Sequence, residues 1–185
     1  MERWLEQETK YEGAVFSVVG GEAMLQDGRR VRRDVVRHRG SAAIVPVLDD
    51  CVLFVRQYRI AVGREMLEIP AGGIEVGEQP EFTARRELSE ELGYEAGRLV
   101  RGPAFFSSVG FLDEEIHLFF AFDLKKTVAV GDADEQIEEV RVRLADVRRG
   151  LRAGEYDDAK TLIGLYALLA REDGSGDTDN RTPAP

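Results

Sequence analysis

Apolar runs of strand length dominate the chain, and patterns typical of amphipathic helices follow towards its C-terminal end. β-Branched and aliphatic side chains are frequent in these runs, which is the composition expected of strands. The strand-like runs are a first one that ends at Tyr11, then AVFSVV, EAMLQ, RRVRRDVVRH, SAAIVPVL, CVLFVRQYRI, EMLEIPAG, residues 94–99, AFFSS, EIHLFFAFDL and VRVRL. The helical patterns are ADVRRGLRAG and AKTLIGLYALLAR. We therefore predict a mixed sheet flanked by helices, an α/β sandwich.

The first 40 residues have the pattern of a small antiparallel β segment. Asp27 and Gly28 form an Asp-Gly pair, which is a strong signal for a hairpin turn. Because such a segment has too little core to be stable alone, we expect residues 1–40 to pack on the main body or on another subunit. Residues 41–171 then form the main domain. Residues 172–185, rich in Asp, Gly, Ser, Thr and Pro, are expected to be a disordered tail.

A further helix is predicted over residues 80–92, between two clear end signals. Pro80 suits the first helical position, and Glu81 favours the positive end of the helix dipole. Gly93 can cap the C-terminus in the left-handed conformation. The apolar residues lie on one stripe, with helical spacing. They are Ala84, Leu88 and Leu92.

Three glutamates gather beside that stripe. Glu87, Glu90 and Glu91 are spaced i, i+3, i+4, so their carboxylates crowd one side of the helix. Such like-charge neighbours cost a helix roughly 0.2–0.5 kcal/mol per pair, so stability gives no reason to gather them. The ordinary interpretation is a solvated acidic face, softened by Arg85 and Arg86. The alternative is a site for a divalent cation such as Mg²⁺, which prefers oxygen ligands.

Composition and charge limit the classes of function. The chain has 185 residues, the size of one ordinary domain, and a formal net charge of -10. That charge argues against a nucleic-acid surface, which relies on clustered Lys and Arg. The single cysteine, Cys51, cannot form an internal disulfide, in keeping with a reducing cytoplasm. The N-terminus lacks the pattern of a secretory signal, and no apolar run approaches a membrane span.

The spacing of residues 72–94 decides between the two interpretations of the acidic helix. Five residues separate Gly72 from Glu78, and seven more lead to Arg86. The pattern resembles the Nudix box, whose fixed glycine and polar positions are all filled. Seven specified residue types over 23 positions make chance a poor explanation. The matching residues are Gly72, Glu78, Arg86, Glu87, Glu90, Glu91 and Gly93.

The resemblance implies a Nudix-type α/β/α sandwich that hydrolyses a nucleoside diphosphate derivative with Mg²⁺ or Mn²⁺. It implies that the metal ligands are the carboxylates of Glu87, Glu90 and Glu91 and the backbone carbonyl of Ala71. Glu90 and Glu91 are also counted among the catalytic residues. Structural roles fall to Gly72, Glu78, Arg86 and Gly93, and in the family the arginine pairs with a glutamate of the box. Glu78 is the candidate for that partner.

Sequence outside the box resembles the ADP-ribose pyrophosphatases, which cleave ADP-ribose to AMP and ribose 5-phosphate. The runs LEIPAGGIEVGE, VRQYR and SSVGFLDEEIHLFFA carry this resemblance, which extends over residues 32–169. It implies a homodimer that exchanges its N-terminal strands, which would explain the unsupported segment of residues 1–40. One residue departs from the pattern, because Val109 stands where the subfamily usually has proline. The neighbouring Gly110 and Phe111 are retained.

The same resemblance suggests which residues bind substrate. Arg59 corresponds to an arginine that contacts substrate phosphates, a role that suits a planar guanidinium. Arg56 is either a second contact or a solvated strand residue, and Glu68 either binds substrate or pairs with a neighbouring arginine. On the N-terminal segment, Arg33 and Asp34 match a motif that reaches the adenosine side of the partner subunit's site.

The resemblance also implies that the general base comes from the acidic loop of residues 132–139. Glu138 and Glu135 are the candidates, and Glu138 is favoured because it lies nearest the following strand and matches the glutamate of the family. The ordinary interpretation of such a loop is a charged surface.

Two other functions are consistent with the sequence. One is hydrolysis of a different nucleoside diphosphate sugar such as GDP-mannose, because related subfamilies share the dimeric body and the box. The other is a non-catalytic Nudix module that senses ADP-ribose. Such modules tend to carry a degraded box, whereas the box is intact here.

Overall fold

The computed structural model describes residues 1–127 and 137–174. Within them the chain forms strands and helices in an order that matches most of the predicted runs. The strands are β1 (Arg3–Glu12), β2 (Phe16–Met24), β3 (Arg30–His38), β4 (Ser41–Leu48), β5 (Cys51–Arg59), β6 (Arg64–Glu68), β7 (Ala71–Gly73), β8 (Tyr94–Phe106), β9 (Glu115–Lys126) and β10 (Glu138–Arg143). The helices are α1 (Pro80–Leu92), α2 (Leu144–Ala153) and α3 (Ala159–Gly174).

Two sheets are present in the described part of the chain. The main sheet has the strand order β10-β5-β4-β9-β8, with β6 paired to β5 and β7 paired to β4. Strands β4 and β9 pair in parallel and the other neighbours are antiparallel, so the sheet is mixed. The second sheet has the order β1-β2-β3 and is antiparallel. The predicted α/β class and the small N-terminal β segment are thus confirmed.

Strand β4 is the centre of the fold because its two faces feed two separate cores. Successive side chains of a strand point to opposite faces. Accordingly, Ala42 and Ile44 pack with the apolar stripe of α1, whereas Ala43 and Val45 pack with residues of α2 and α3. Helices therefore cover both faces of the main sheet, which gives the α/β/α sandwich. Within the described residues, none of these helices is long and apolar enough to cross a membrane.

Some predicted boundaries were wrong. The runs AVFSVV and EAMLQ join into the single strand β2, and residues 94–99 and AFFSS join into β8 across an irregularity between Arg101 and Ala104. The run EMLEIPAG divides into β6 and β7. Pro70 lies in the gap; it has no N–H to continue a ladder, and its carbonyl oxygen accepts a hydrogen bond from the Ile44 N–H at 2.9 Å.

The predicted tail begins too early. Helix α3 continues to Gly174, so residues 172–174 are helical. Arg148 of α2 donates hydrogen bonds to Glu172 at 3.1 Å and to Asp173 at 3.0 Å, and these contacts hold the last turn. The rest of the predicted tail, residues 175–185, lies outside the described residues.

The N-terminal sheet joins the main body through β3 and the loop of residues 107–114. The Val36 N–H donates to the Phe111 carbonyl at 2.7 Å, and the Asp113 N–H donates to the Val36 carbonyl at 3.2 Å. The Asp113 carboxylate also accepts from the guanidinium of Arg37 at 2.9 Å and from the His38 N–H at 2.8 Å. This loop therefore connects the small sheet to the domain that carries the box.

Candidate active site

Helix α1 presents the box glutamates from a well-defined position. It begins at Pro80 and ends at Gly93, whose φ of 70° is the left-handed conformation that favours glycine. The Gly93 N–H donates to the Ser89 carbonyl at 2.9 Å. Because Ala84 and Leu88 are fully buried against β4 and its neighbours, the glutamate side of the helix has a fixed orientation.

The carboxylate of Glu87 lies directly against the backbone of β7. Glu87 is only 9% exposed, and a Cβ placed at Gly72 would overlap its carboxylate. Position 72 therefore requires glycine for space, since its φ is not in the left-handed region. At Gly73, by contrast, a Cβ would have nothing within 4 Å. The first glycine of the box is therefore required by the packing of the Glu87 carboxylate.

Arg86 connects the loop after β7 to the helix. Its guanidinium donates to both carboxylate oxygens of Glu78, at 3.2 and 3.3 Å, and to the Gly73 carbonyl at 3.1 Å. It also donates to Glu87 at 2.6 Å and to Glu90 at 2.9 Å. The structure thus contains the predicted pairing of Arg86 with Glu78, and one guanidinium offsets the repulsion of the crowded carboxylates.

The charges of this cluster support one another. The hydrogen bond from Arg86 is the main reason that the pKa of Glu78 lies below its ordinary value. Burial alone would lower the pKa of Arg86. The hydrogen bond with Glu78 and the charge of Glu87 outweigh burial, so the pKa lies above its ordinary value. At neutral pH this arginine is therefore charged, as is the carboxylate that braces the loop.

The donor set fits a hard divalent cation. Three carboxylates stand within about one turn of α1, and oxygen is the ligand atom that Mg²⁺ and Mn²⁺ prefer. The fourth predicted ligand is the backbone carbonyl of Ala71. This residue directly precedes Gly72, against which Glu87 packs. Within residues 1–127 and 137–174, no three His, Cys, Asp or Glu side chains form a ready-made metal cluster. In this structure, two of the three carboxylates, those of Glu87 and Glu90, form ion pairs with Arg86.

Arg59 and Glu68 form a bidentate ion pair near the start of β7. Arg59 donates from Nε to Glu68 Oε1 at 2.7 Å and from Nη2 to Oε2 at 3.0 Å. Burial would raise the pKa of Glu68, but the hydrogen bond from Arg59 and the charge of Lys160 bring it below the ordinary value. Of the two predicted alternatives for Glu68, pairing with an arginine is present in the structure.

Arg56 lies beside Glu138, the favoured candidate for the base. The two residues are opposite each other where β5 pairs with β10, and Arg56 Nη1 is 3.4 Å from Glu138 Oε2. The side chain of Glu138 is 65% exposed, so its carboxylate is open to water. Glu135, the second candidate, lies outside the described residues.

Arg33 and Asp34 lie on β3 in the N-terminal sheet. Arg33 forms an ion pair with Glu2 at 2.7 Å, and Asp34 is opposite Gly20 of β2. The structure thus places these two predicted substrate contacts on the small sheet, apart from the cluster around Arg86.

Val109, which departs from the subfamily pattern, lies on the surface and is 82% exposed. The loop that contains it is held by the carboxylate of Glu114. That carboxylate accepts hydrogen bonds from the hydroxyls of Ser41 and Ser107, each at 2.7 Å. The anchoring contacts of this loop therefore do not involve residue 109.

Sequence analysis missed the groups around Glu68. Lys160 contacts its carboxylate, and Asp158 and Thr161 complete a small polar network at the start of α3. The run Asp-Ala-Lys-Thr before an apolar helix could have indicated a helix N-cap. Its contact with Glu68, which is 92 residues away in the chain, leaves no such signal.

Comparison with known proteins identifies the family. The sequence model of the NUDIX domain matches residues 37–163. The ADP-ribose pyrophosphatase of Bacillus subtilis (strain 168) is 36% identical over 174 residues, covering 92% of this chain and 94% of that protein. The methanol dehydrogenase activator of Bacillus methanolicus is 34% identical over 174 residues, with the same coverage. A solved structure of an ADP compounds hydrolase matches with a TM-score of 0.80 and 27% identity, covering 97% of each chain.

A helix-covered mixed sheet with a complete box defines a Nudix domain, and the chain belongs to the Nudix family. Within that family it is a pyrophosphohydrolase of the ADP-ribose pyrophosphatase-like group. The predicted resemblance and the enzymatic class are thereby confirmed. Because the two relatives have different names at the same coverage, membership of the family leaves the substrate to be tested.

The packing of Glu87 on Gly72 leads to a testable prediction. We expect Gly72→Ala to lower the free energy of unfolding by about 1–3 kcal/mol, because the added methyl displaces a buried carboxylate from its hydrogen bond. Urea denaturation measures this change. Gly73→Ala is the matched control, with an expected change within about 0.5 kcal/mol. Equal effects of the two substitutions would contradict the packing argument.

Proposed function

We propose that the protein hydrolyses the pyrophosphate of ADP-ribose to AMP and ribose 5-phosphate and that it requires Mg²⁺, with Mn²⁺ as a possible substitute. The observation that carries this proposal is the intact cluster in which Gly72, Arg86 and Glu78 fix the side of α1 that bears the glutamates. A relative that is named an ADP-ribose pyrophosphatase and spans nearly the whole chain supports this choice of substrate.

Glu87, Glu90 and Glu91, with the carbonyl of Ala71, would hold the cation. When bound, it would neutralise negative charge on the pyrophosphate that otherwise repels a nucleophile. Arg86 would continue to brace Glu78 and the loop, since three of its five contacts are with Glu78 and the Gly73 carbonyl. The loop that precedes α1 would thus keep its shape through groups other than the metal ligands.

Arg59 and Arg56 would bind the phosphates. A guanidinium donates several N–H groups in one plane and matches the geometry of phosphate oxygens. Arg59 is oriented by its bidentate pair with Glu68, and its side chain is still 39% exposed. Glu68 would therefore act on the substrate through Arg59.

Glu138 would be the general base. Its exposed carboxylate would accept a proton from the attacking water as the water oxygen bonds to phosphorus and the bridging P–O bond breaks. Arg56, 3.4 Å from the carboxylate, would help to orient it. The products are two phosphate monoesters.

The direct test of the substrate is a panel assay. The protein is incubated with Mg²⁺ and separately with ADP-ribose, GDP-mannose, diadenosine polyphosphates and NADH, and the products are separated by chromatography. We expect ADP-ribose to be consumed fastest, with AMP and ribose 5-phosphate as products. Consumption of GDP-mannose but not ADP-ribose would overturn the proposed substrate. Binding of ADP-ribose without hydrolysis of any compound would favour the sensing module.

The role of Glu138 predicts a large loss of turnover on substitution. Glu138→Gln should lower kcat by about 100-fold or more, as is typical when a positioned base is removed, while binding of Mn²⁺ measured by calorimetry stays close to wild type. Glu139→Gln is the matched control, because the adjacent Glu139 contacts Arg141 instead, at 2.6 Å. Wild-type turnover in Glu138→Gln would rule out this base.

We also propose that the protein is a homodimer in which the N-terminal sheet serves the partner's site. Two observations support this arrangement. The small sheet hydrogen-bonds to its own main body at Val36 and Asp113, and the side chains of Tyr11, Val15 and Phe16 are exposed. Aromatic and aliphatic surface of this kind is typical of association surfaces. Arg33 and Asp34 would then contact the adenosine side of the substrate across the interface.

Mixing two inactive variants tests this arrangement. Arg33→Ala should impair the partner's site, and Glu91→Gln should impair its own. After subunit exchange, about half of the dimers are hybrids with one intact site, so activity should recover to about a quarter of wild type. Light scattering should give twice the 20.7 kDa of one chain. A monomeric mass, or a mixture as inactive as its components, would contradict the exchange.

A further inference from the structure

We propose that Lys160, through the buried carboxylate of Glu68, is a positioning residue for Arg59. This inference rests on the proposed function only in that Arg59 binds the substrate phosphates. Lys160 lies in the first turn of α3, outside the box and outside the strands that carry the predicted contacts. It would act on substrate binding without touching the substrate.

The carboxylate of Glu68 joins two cations from different elements. Both of its oxygens accept hydrogen bonds from Arg59 of β5, and Lys160 Nζ donates to Oε2 as well. The side chains of Glu68 and Lys160 are 4% and 13% exposed. Because Arg59 alone is enough to pair with Glu68, the second cation calls for a separate explanation.

The start of α3 fixes Lys160 in turn. The Asp158 carboxylate accepts from Lys160 Nζ at 3.1 Å, from the Thr161 N–H at 3.0 Å and from the Thr161 hydroxyl at 2.6 Å. The Thr161 hydroxyl oxygen also accepts from the Ile69 N–H at 2.9 Å. The same helical turn therefore holds the side chain of residue 68 and the backbone of residue 69.

Stability alone does not account for a buried lysine here. Replacing a whole buried ion pair by apolar residues of similar size is often neutral or stabilising, because taking both charges out of water is costly. Electrostatics suggest the function. With Lys160 beside it, the negative charge of Glu68 is shared between two cations, so Arg59 keeps more of its attraction for an anionic ligand. Lys160 would thus set both the direction and the effective charge of Arg59.

A double-mutant cycle tests this role with the substrate that wild type hydrolyses. Lys160→Met should raise KM on the order of tenfold, with kcat within about threefold, because an interaction common to the ground state and the transition state is weakened. In an Arg59→Ala background, the same substitution should leave KM unchanged. Lys160→Arg, which keeps the positive charge, should restore most of the affinity. Lys125→Met, at an exposed lysine of β9, is the matched control and should behave like wild type.

The outcomes separate this inference from the proposed function. An equal rise of KM with and without Arg59 would mean that Lys160 acts through general structure, and it would overturn the inference. So would an unchanged KM in Lys160→Met. If Lys160→Met fails to fold, Lys160→Gln, which keeps a hydrogen-bond donor, carries the same prediction. Wild-type protein that hydrolyses no compound of the panel would instead overturn the proposed function.

Discussion

The site depends on keeping several like charges together on one side of a short helix. Glu87 and Glu90 lie where they would repel each other, and Arg86 holds both while it also binds Glu78 and the Gly73 carbonyl. One guanidinium therefore sets the shape of the loop and the direction of the carboxylates. The glycine at position 72 makes this possible, because any larger side chain would occupy the place of the Glu87 carboxylate.

The core around strand β4 holds the elements that carry this cluster. Strand β4 is buried on both faces, pairs with β7 on one edge and carries α1 and α3 on opposite faces. The position of the glutamates relative to Ala71 is thus determined by core packing, which is dense and tolerates little displacement. The three-stranded sheet hydrogen-bonds to the main body at the loop of residues 107–114.

Local signals carried most of what could be predicted from the sequence. Pro80 and Gly93 marked the ends of α1 because the conformational limits of proline and glycine act on neighbouring residues alone. The box indicated its own chemistry through spacing. The pairing of Glu68 with Lys160 could not be predicted, because it joins residues 92 apart through the packing of α3 on the sheet. The division at Pro70 was missed for a related reason, since the hydrogen-bond partner of its carbonyl, Ile44, lies on a different strand.

That division has an evolutionary consequence. Residues 69 and 70 separate β6, which carries Glu68, from β7, which carries Ala71 and the glycine under Glu87. Strand β6 pairs with β5, whereas β7 pairs with β4, so the two segments are held by different neighbours. Evolution can therefore substitute residues on β6 with less effect on the backbone under Glu87 than substitutions on β7 would have.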